Sequence, residues 1–290
     1  MRTVVISSAA VALLTGWVSA ARAHDEAATG RLVWNERWQR ATGWNLAATG
    51  ALAATSLGLT LGTSPQRRWT GGILFDDAVR DAVRIDEPGL QDRVAQASDV
   101  IYPLLAMYPV VIDSGLVAWG IHGSSDVAAQ TAAISLQSLA LAGAITITAI
   151  SFVGRQRPRE LGCEHDPNAT RCDDPGSNKS FFSGHSAASF TAAGLICTHH
   201  AELPLYGGGA ADVIACSLGL FAATTVAAFR VMSDSHWPTD VALGSTVGAV
   251  SGFVVPRLLH YGFGSSGPGR VALAPLLTPT TRGLAFLAAF

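Results

Sequence analysis

Long apolar runs of low charge dominate this chain and constrain its fold more than any other feature. Of its 290 residues 49% are hydrophobic and 14% are charged, whereas about a quarter are charged in an average soluble domain. Several runs approach the ~20 residues that cross a bilayer as a helix. They are rich in Ala, Gly, Ser and Thr, which lets helices pack closely in a membrane. The pattern predicts an all-α helical bundle embedded in a membrane, with the core of a soluble helical bundle as the alternative.

The runs divide the chain into four regions. We expect an export signal (1–23), an N-terminal helical region (24–97), a catalytic helical core (98–262) and a C-terminal tail or short β-hairpin (263–290). The helices are expected at 45–63, 74–97 with an interruption near Pro88, 98–121, 127–153, 184–202, 210–229 and 239–261. Trp34 and Trp38 are four residues apart, which suits either an interfacial amphipathic helix or packing against the main body.

The N-terminus has the pattern of an export signal. Arg2 supplies the positive end, Val4 to Val18 is mostly apolar, and Ala21-Arg22-Ala23 fits a small-residue cleavage site. The mature chain would then begin at His24. An uncleaved membrane anchor is the alternative.

Four cysteines follow the signal. Cys163 and Cys172 flank a polar loop, and in an exported protein such a pair predicts a loop-closing disulfide. A metal site with His165 as a third ligand is a weaker alternative because the spacing does not suit one. Cys197 and Cys216 lie in apolar helical runs, so we expect them to be buried free thiols.

Three short motifs carry the chemistry of the chain. They are Gly-Arg-Gln-Arg-Pro (154–158), Phe-Ser-Gly-His (182–185) and Phe-Arg-Val-Met-Ser-Asp-Ser-His-Trp-Pro-Thr-Asp (229–240). Guanidinium groups bind phosphate oxygens in a bidentate way. A histidine near a carboxylate can act as a nucleophile or carry a proton. Together the motifs suit a site that holds and attacks a tetrahedral oxyanion.

The three motifs resemble the signature of the type 2 phosphatidic acid phosphatase (PAP2) superfamily, which includes lipid phosphatases, bacterial class A acid phosphatases and vanadium haloperoxidases. That signature is Lys, six residues, Arg-Pro; then Pro-Ser-Gly-His; then Ser-Arg, five residues, His, three residues, Asp. The residues that fit it, with every internal spacing kept, are Arg157-Pro158, Ser183-Gly184-His185, Arg230, His236 and Asp240. The resemblance covers roughly residues 130–255 and implies a helical fold of the phosphatase and haloperoxidase type.

The chain departs from the signature at three positions. Ile150 replaces the lysine of the first block, Phe182 the proline of the second, and Phe229 the serine of the third. The lysine contacts phosphate in the family, so its absence removes a cation. We hypothesise that Lys179, the only lysine of the chain, or Arg155 supplies the missing charge.

The resemblance also implies a role for each residue. His236 would attack phosphorus, Asp240 would hold its other ring nitrogen, and His185 would protonate the leaving group and later activate water. The remaining matched positions would surround the phosphoryl oxygens with donors: Arg157, Arg230, Ser183 and Gly184. This chemistry requires no metal, and we expect no cofactor.

The sequence therefore predicts a hydrolase that removes phosphate from a lipid phosphate or lipid pyrophosphate through a phosphohistidine, with its active site at the periplasmic side of the membrane. The partners are the lipid substrate and the membrane, and no obligate protein partner is inferred. The net charge of −2 without a basic stripe argues against nucleic acid. The alternatives are a soluble periplasmic acid phosphatase, a haloperoxidase with vanadate as its cofactor, and an inactive membrane scaffold.

The topology of the predicted helices raises a difficulty. If the signal is cleaved and 45–63, 98–121 and 127–153 all cross the membrane, the first motif lies in the cytoplasm. A periplasmic site therefore requires that one of these three segments does not cross.

Overall fold

A computed structural model describes residues 30–163, 176–262, 271–277 and 282–288. The helices in chain order are α1 (Gly43–Gly62), α2 (Asp76–Val83), α3 (Pro88–Tyr108, continued by a π-helical stretch Pro109–Ile121), α4 (Ser125–Val153), α5 (Glu160–Cys163), α6 (Gly184–Glu202), α7 (Ala210–Met232) and α8 (Pro238–Ala249, followed by the π-helical stretches Val250–Val254 and Arg257–Tyr261). The predicted all-α helical fold is confirmed.

The bundle is built around α6. Thirteen of its 19 residues are buried, and α3, α4, α7 and α8 all pack against it. By contrast, α1 buries none of its residues and packs on the outside of α4. The helix whose first turn carries the Ser-Gly-His motif is therefore held by four neighbouring helices.

Glycines bring α8 very close to α6. A Cβ on Gly244 would lie 2.5 Å from the carbonyl oxygen of Ser183, and a Cβ on Gly248 would lie 2.3 Å from another backbone carbonyl of α6. Gly252 makes a third such approach at 2.2 Å. Small residues four apart allow this close contact between helix backbones. The contact fixes the start of α8 beside the start of α6.

Four helical segments are long and apolar enough to cross a membrane: Pro88–Ile121, Ser125–Val153, Ala210–Met232 and Pro238–Tyr261. Their outward faces expose large apolar side chains such as Leu104, Phe221 and Leu258, whereas the interior contains serine, threonine, aspartate and histidine. Apolar surfaces around a polar interior suit a lipid solvent. The four segments are compatible with an integral membrane protein.

The segment predicted as a separate helix at 98–121 is instead part of one continuous rod from Pro88 to Ile121. Pro88 occupies the first turn, where its missing N–H costs nothing, and Glu87 caps the helix. Pro103 lies inside the helix, and the hydrogen bonding changes to the π-helical register at Pro109. A proline cannot donate the usual helical hydrogen bond, and the wider π turn accommodates that loss.

Trp34 and Trp38 do not share a helix, because residues 30–42 form none. Both indoles are buried and pack edge-to-face at 5.0 Å, and Tyr261 contacts each of them. Of the two alternatives, packing against the main body is therefore the one found.

The C-terminal segments pair as a β-hairpin does. β1 (Val271–Leu277) and β2 (Arg282–Ala288) are antiparallel, with Val271 opposite Ala288 and Leu277 opposite Arg282. The hairpin alternative for the C-terminal region is thus the one observed.

One cysteine prediction was wrong. Cys197 of α6 and Cys216 of α7 form a disulfide, with their Cα atoms 4.4 Å apart. The helices approach this closely because small residues face each other there: a Cβ on Gly219 would lie 3.6 Å from the Cα of Ala193. The export signal and the proposed Cys163–Cys172 disulfide lie outside the residues whose side chains are described.

Candidate active site

The three motifs meet at one end of the bundle, which we call the catalytic end. The backbone N–H of Ser180 donates to the carbonyl of Arg155 at 3.0 Å, and that of Ser183 donates to the carbonyl of Asp240 at 3.1 Å. The Arg157 guanidinium donates to the carbonyl of Ser235 at 3.2 Å. The third motif is therefore hydrogen-bonded to the other two, and the first motif is bonded to Ser180, two residues before the second, although up to 85 residues separate the motifs in sequence.

His236 is held in one tautomer. Its Nδ1–H donates to the carbonyl of Ser180 at 2.7 Å, because a carbonyl oxygen can only accept. This leaves the lone pair on Nε2. Burial lowers the pKa of His236, and the nearby charges of Arg157 and Arg230 lower it further. The imidazole is therefore neutral near pH 7, which is the state that a nucleophile needs.

Asp240 does not hold the ring of His236 as the resemblance implied. Its nearer carboxylate oxygen is 4.0 Å from Nδ1, beyond hydrogen-bonding distance. Instead the carboxylate accepts from Ser180 Oγ at 2.5 Å and from the Arg155 guanidinium at 2.6 Å. Since the carbonyl of Ser180 holds the ring, Asp240 acts on the histidine through that serine.

Arg155 is buried and paired with carboxylates, which argues against one of the two hypotheses for the missing cation. Its side chain is fully buried and forms ion pairs of 2.6 Å with both Asp76 and Asp240. The guanidinium also lies 4.1 Å from the ring of Trp69 and 5.1 Å from that of Trp237. It is thus a structural cation beneath the site.

Asp76 belongs to the same network and was missed in the sequence. Its carboxylate accepts from Arg155, from the N–H of Ile73 at 2.9 Å, and from the N–H and hydroxyl of Thr239 at 2.7 and 2.8 Å. Burial acts to raise the pKa of Asp76, but these hydrogen bonds hold it below its usual value. No local pattern marks this residue, because the partners that tie it to the site, Arg155 and Thr239, are 79 and 163 residues away.

His185 and Arg230 share one partner, Asp99. The same carboxylate oxygen accepts from His185 Nε2 at 2.8 Å and from the Arg230 guanidinium at 2.8 Å. Burial lowers the pKa of His185, whereas the hydrogen bond to Asp99 opposes that change. Asp99 was not predicted, although an ionisable residue inside a membrane-spanning helix is itself a signal of function.

The start of α6 supplies further donors. Ser183 is its N-cap, and its hydroxyl oxygen accepts from the N–H of Ser186 at 3.3 Å. Gly184 is the first residue of the helix, so its N–H belongs to the positive end of the helix dipole. The Arg157 guanidinium is oriented by the carbonyl of Gly176 at 2.9 Å.

A neutral histidine, a second histidine held by a carboxylate, two guanidinium groups and a helix N-terminus define an oxyanion site suited to phosphoryl transfer. Residues 131–263 match the family model of the PAP2 superfamily, and this match supports the assignment of that region to the superfamily. The match supports a phosphatase-type activity in general. No curated protein and no solved structure matches the chain significantly.

Proposed function

We propose that the protein is a metal-independent phosphatase that hydrolyses a lipid phosphate or lipid pyrophosphate through a phosphohistidine on His236. The observation that carries this proposal is the hydrogen bond from His236 Nδ1 to the carbonyl of Ser180. It presents an unprotonated Nε2 beside Arg157 and Arg230, two cations that lower the pKa of the ring. A neutral imidazole with a free Nε2 lone pair near two guanidinium groups is suited to attack a phosphate.

In the first half-reaction the lone pair of His236 Nε2 forms a bond to phosphorus while the bond between phosphorus and the leaving oxygen breaks. His185 gives its proton to that oxygen, and Asp99 favours the protonated form that does so. Arg157 and Arg230 neutralise the phosphoryl oxygens. In the second half-reaction His185 takes a proton from water, the water oxygen binds phosphorus, and the phosphorus–nitrogen bond breaks to release phosphate.

Lys179 is the remaining candidate for the cation that Ile150 lacks. It precedes Ser180, the residue that holds the nucleophile, and its side chain is half-buried. Within the described part of the chain, no hydrogen bond or ion pair engages its ammonium group. Because it is the only lysine, acetylation of its side chain can be followed by peptide mass. Vanadate should protect Lys179 from acetylation, and equal acetylation with and without vanadate would remove it from the phosphate site.

The direction of α1 relates the side of the membrane that the site faces to the side on which residues 30–42 lie. Its start is tied to the start of α4 by the hydrogen bond from the N–H of Ala41 to Gln130, at 2.7 Å. Its end is tied to the end of α4 by Thr63 and Ser151, at 3.0 Å. The chain therefore enters the bundle at the end opposite the catalytic end. In an embedded bundle, a cleaved export signal and a periplasm-facing site exclude each other.

Each orientation has its own consequence. A periplasm-facing site requires residues 30–42 to lie in the cytoplasm. The reverse orientation is compatible with a cleaved export signal. It also places the Cys197–Cys216 disulfide nearer the periplasm, and the oxidising environment there favours disulfides. A membrane-impermeant amine reagent decides between them, because Lys179 is at the catalytic end. Labelling of Lys179 in intact spheroplasts would show a periplasmic site, and labelling only after permeabilisation a cytoplasmic one.

The activity itself is tested by phosphate release from phosphatidic acid and undecaprenyl pyrophosphate, with and without EDTA, for the wild type and His236→Ala. We expect release that EDTA does not reduce and that His236→Ala abolishes. Denaturation in alkali should retain a phosphorylated histidine in the wild type alone. Release that continues in His236→Ala, or that stops in EDTA, would refute the proposed mechanism.

A further inference from the structure

Three consecutive apolar side chains are exposed in the loop that leads into α2. Ile73, Leu74 and Phe75 have 40%, 88% and 47% of their surface exposed. Leu74 also has a φ of +54°, a left-handed conformation that non-glycine residues rarely adopt. The backbone is therefore strained at Leu74, where apolar side chains are exposed. Such strain is often associated with function.

The loop lies level with the ends of two candidate membrane spans. On one side, Asp76 at the end of the loop accepts hydrogen bonds from Thr239, the second residue of the span Pro238–Tyr261. On the other, the Arg68 guanidinium donates to the carbonyl of Phe152 at 3.0 Å, in the last turn of the span Ser125–Val153. A segment bonded to the ends of two spans lies at the surface of the membrane that they cross.

The exposed apolar surface continues from the loop onto α2. Phe75, Val79 and Val83 are spaced by four residues, so they share one face of that helix. All three are exposed, and the adjoining side of the helix holds Asp76 and Arg80 against the catalytic end. An apolar stripe on a short helix at membrane level is the pattern of an interfacial helix.

We propose that Ile73, Leu74, Phe75, Val79 and Val83 form an interfacial patch that inserts among the upper acyl chains of the bilayer beside the active site. The patch makes the enzyme prefer a phosphate presented from a lipid surface over a water-soluble phosphate ester. The inference rests on the proposed phosphatase function and adds the form in which the substrate is recognised.

The patch is joined to the nucleophile by the buried network. Asp76 ends the loop and pairs with Arg155, which pairs with Asp240, which accepts from Ser180. The carbonyl of Ser180 in turn holds His236. This network fixes the position of His236 relative to the loop. The depth at which the loop sits in the membrane would therefore determine how far His236 lies from the lipid phosphates.

The test compares one variant on two substrates. In Leu74→Ser/Phe75→Ser we expect kcat/KM for dioleoyl phosphatidic acid in vesicles to fall about tenfold, because less apolar surface enters the bilayer. The kcat/KM for p-nitrophenyl phosphate in detergent should stay within about twofold, since the site itself is unchanged. The swap Leu74→Phe/Phe75→Leu keeps the apolar surface and should retain the lipid preference. Equal effects on both substrates would overturn the proposal.

A second measurement does not depend on activity. In Leu74→Cys, an environment-sensitive fluorophore attached at that position should be quenched by lipids spin-labelled high on the acyl chain, in protein reconstituted into phosphatidylcholine vesicles. Quenching only by a water-soluble quencher would refute insertion. If the wild type hydrolyses neither phosphatidic acid nor undecaprenyl pyrophosphate but the fluorophore is quenched by the spin-labelled lipids, the proposed substrate class is wrong and insertion of the interfacial patch is still supported.

Discussion

Replacing Arg155 with methionine tests whether this residue stabilises the fold, in contrast to Arg157 and Arg230, which we propose to bind the substrate. Arg155→Met leaves Asp76 and Asp240 buried without their shared partner. Removing one member of a buried ion pair costs about 3–5 kcal/mol. For a chain of this size 1 kcal/mol corresponds to roughly 2–4 °C in Tm, so we expect a loss on the order of 10 °C. The measurement is thermal unfolding in detergent, followed by circular dichroism.

Arg157→Met is the matched control, because it removes the same charge two residues away. It should lower kcat/KM by at least about a hundredfold, the usual effect of losing a donor that stabilises transition-state charge, and change Tm by only a few degrees. Asp76→Asn combined with Arg155→Met should cost less than the sum of the two single variants, since both disrupt one pair. If Arg155→Met kept the wild-type Tm and lost only phosphate affinity, the assignment of Arg155 as a structural cation would be wrong.

Three further predictions follow from the packing and the charges. Gly248→Ala should destabilise the bundle, since its Cβ would lie 2.3 Å from a carbonyl of α6, whereas Gly143→Ala meets nothing within 4 Å and should be neutral or stabilising in the same unfolding assay. The pKa values of His236 and His185 are both lowered, so the nucleophile His236 stays neutral and the acid His185 loses its proton at a lower pH than usual. We therefore expect kcat/KM to peak below about pH 6.5. A maximum above pH 8 would contradict this. Asp99→Asn should lower kcat and move the basic limb of that profile to lower pH, and an unshifted limb would show that Asp99 does not support the proton on His185.

Local patterns in the sequence predicted the parts of the fold that depend on local interactions. The apolar runs predicted the long helices to within a few residues at most boundaries, as at 127–153 against Ser125–Val153. The three motif spacings predicted which loops meet at the catalytic end, because each motif lies next to a helix terminus. The main error in the helices was the boundary predicted between residues 97 and 98, because the helix continues from Pro88 to Ile121, through Pro103 and a π-helical register that begins at Pro109.

Long-range pairing set the rest of the site, and no local pattern reports it. Asp99 is 131 residues from Arg230, and Asp76 is 163 residues from Thr239. The disulfide between Cys197 and Cys216 depends on how closely two helices pack, which is set by a glycine on one of them. Each of these residues has an unremarkable neighbourhood in sequence, so only the assembled bundle shows its role.

Two departures from the family signature combine in this chain. Ile150 removes a cation from the phosphate side of the site, and Arg155, five residues later, places one on the buried side. There it engages Asp240, so that the carbonyl of Ser180 holds the ring of His236 in place of the carboxylate. His236 is thus held in the neutral tautomer that attack would require, whereas the phosphate side of the site lacks one cation of the family signature. In the proposed mechanism this arrangement preserves the attack on phosphorus, and Lys179 is the residue that we propose to supply the missing charge for phosphate binding.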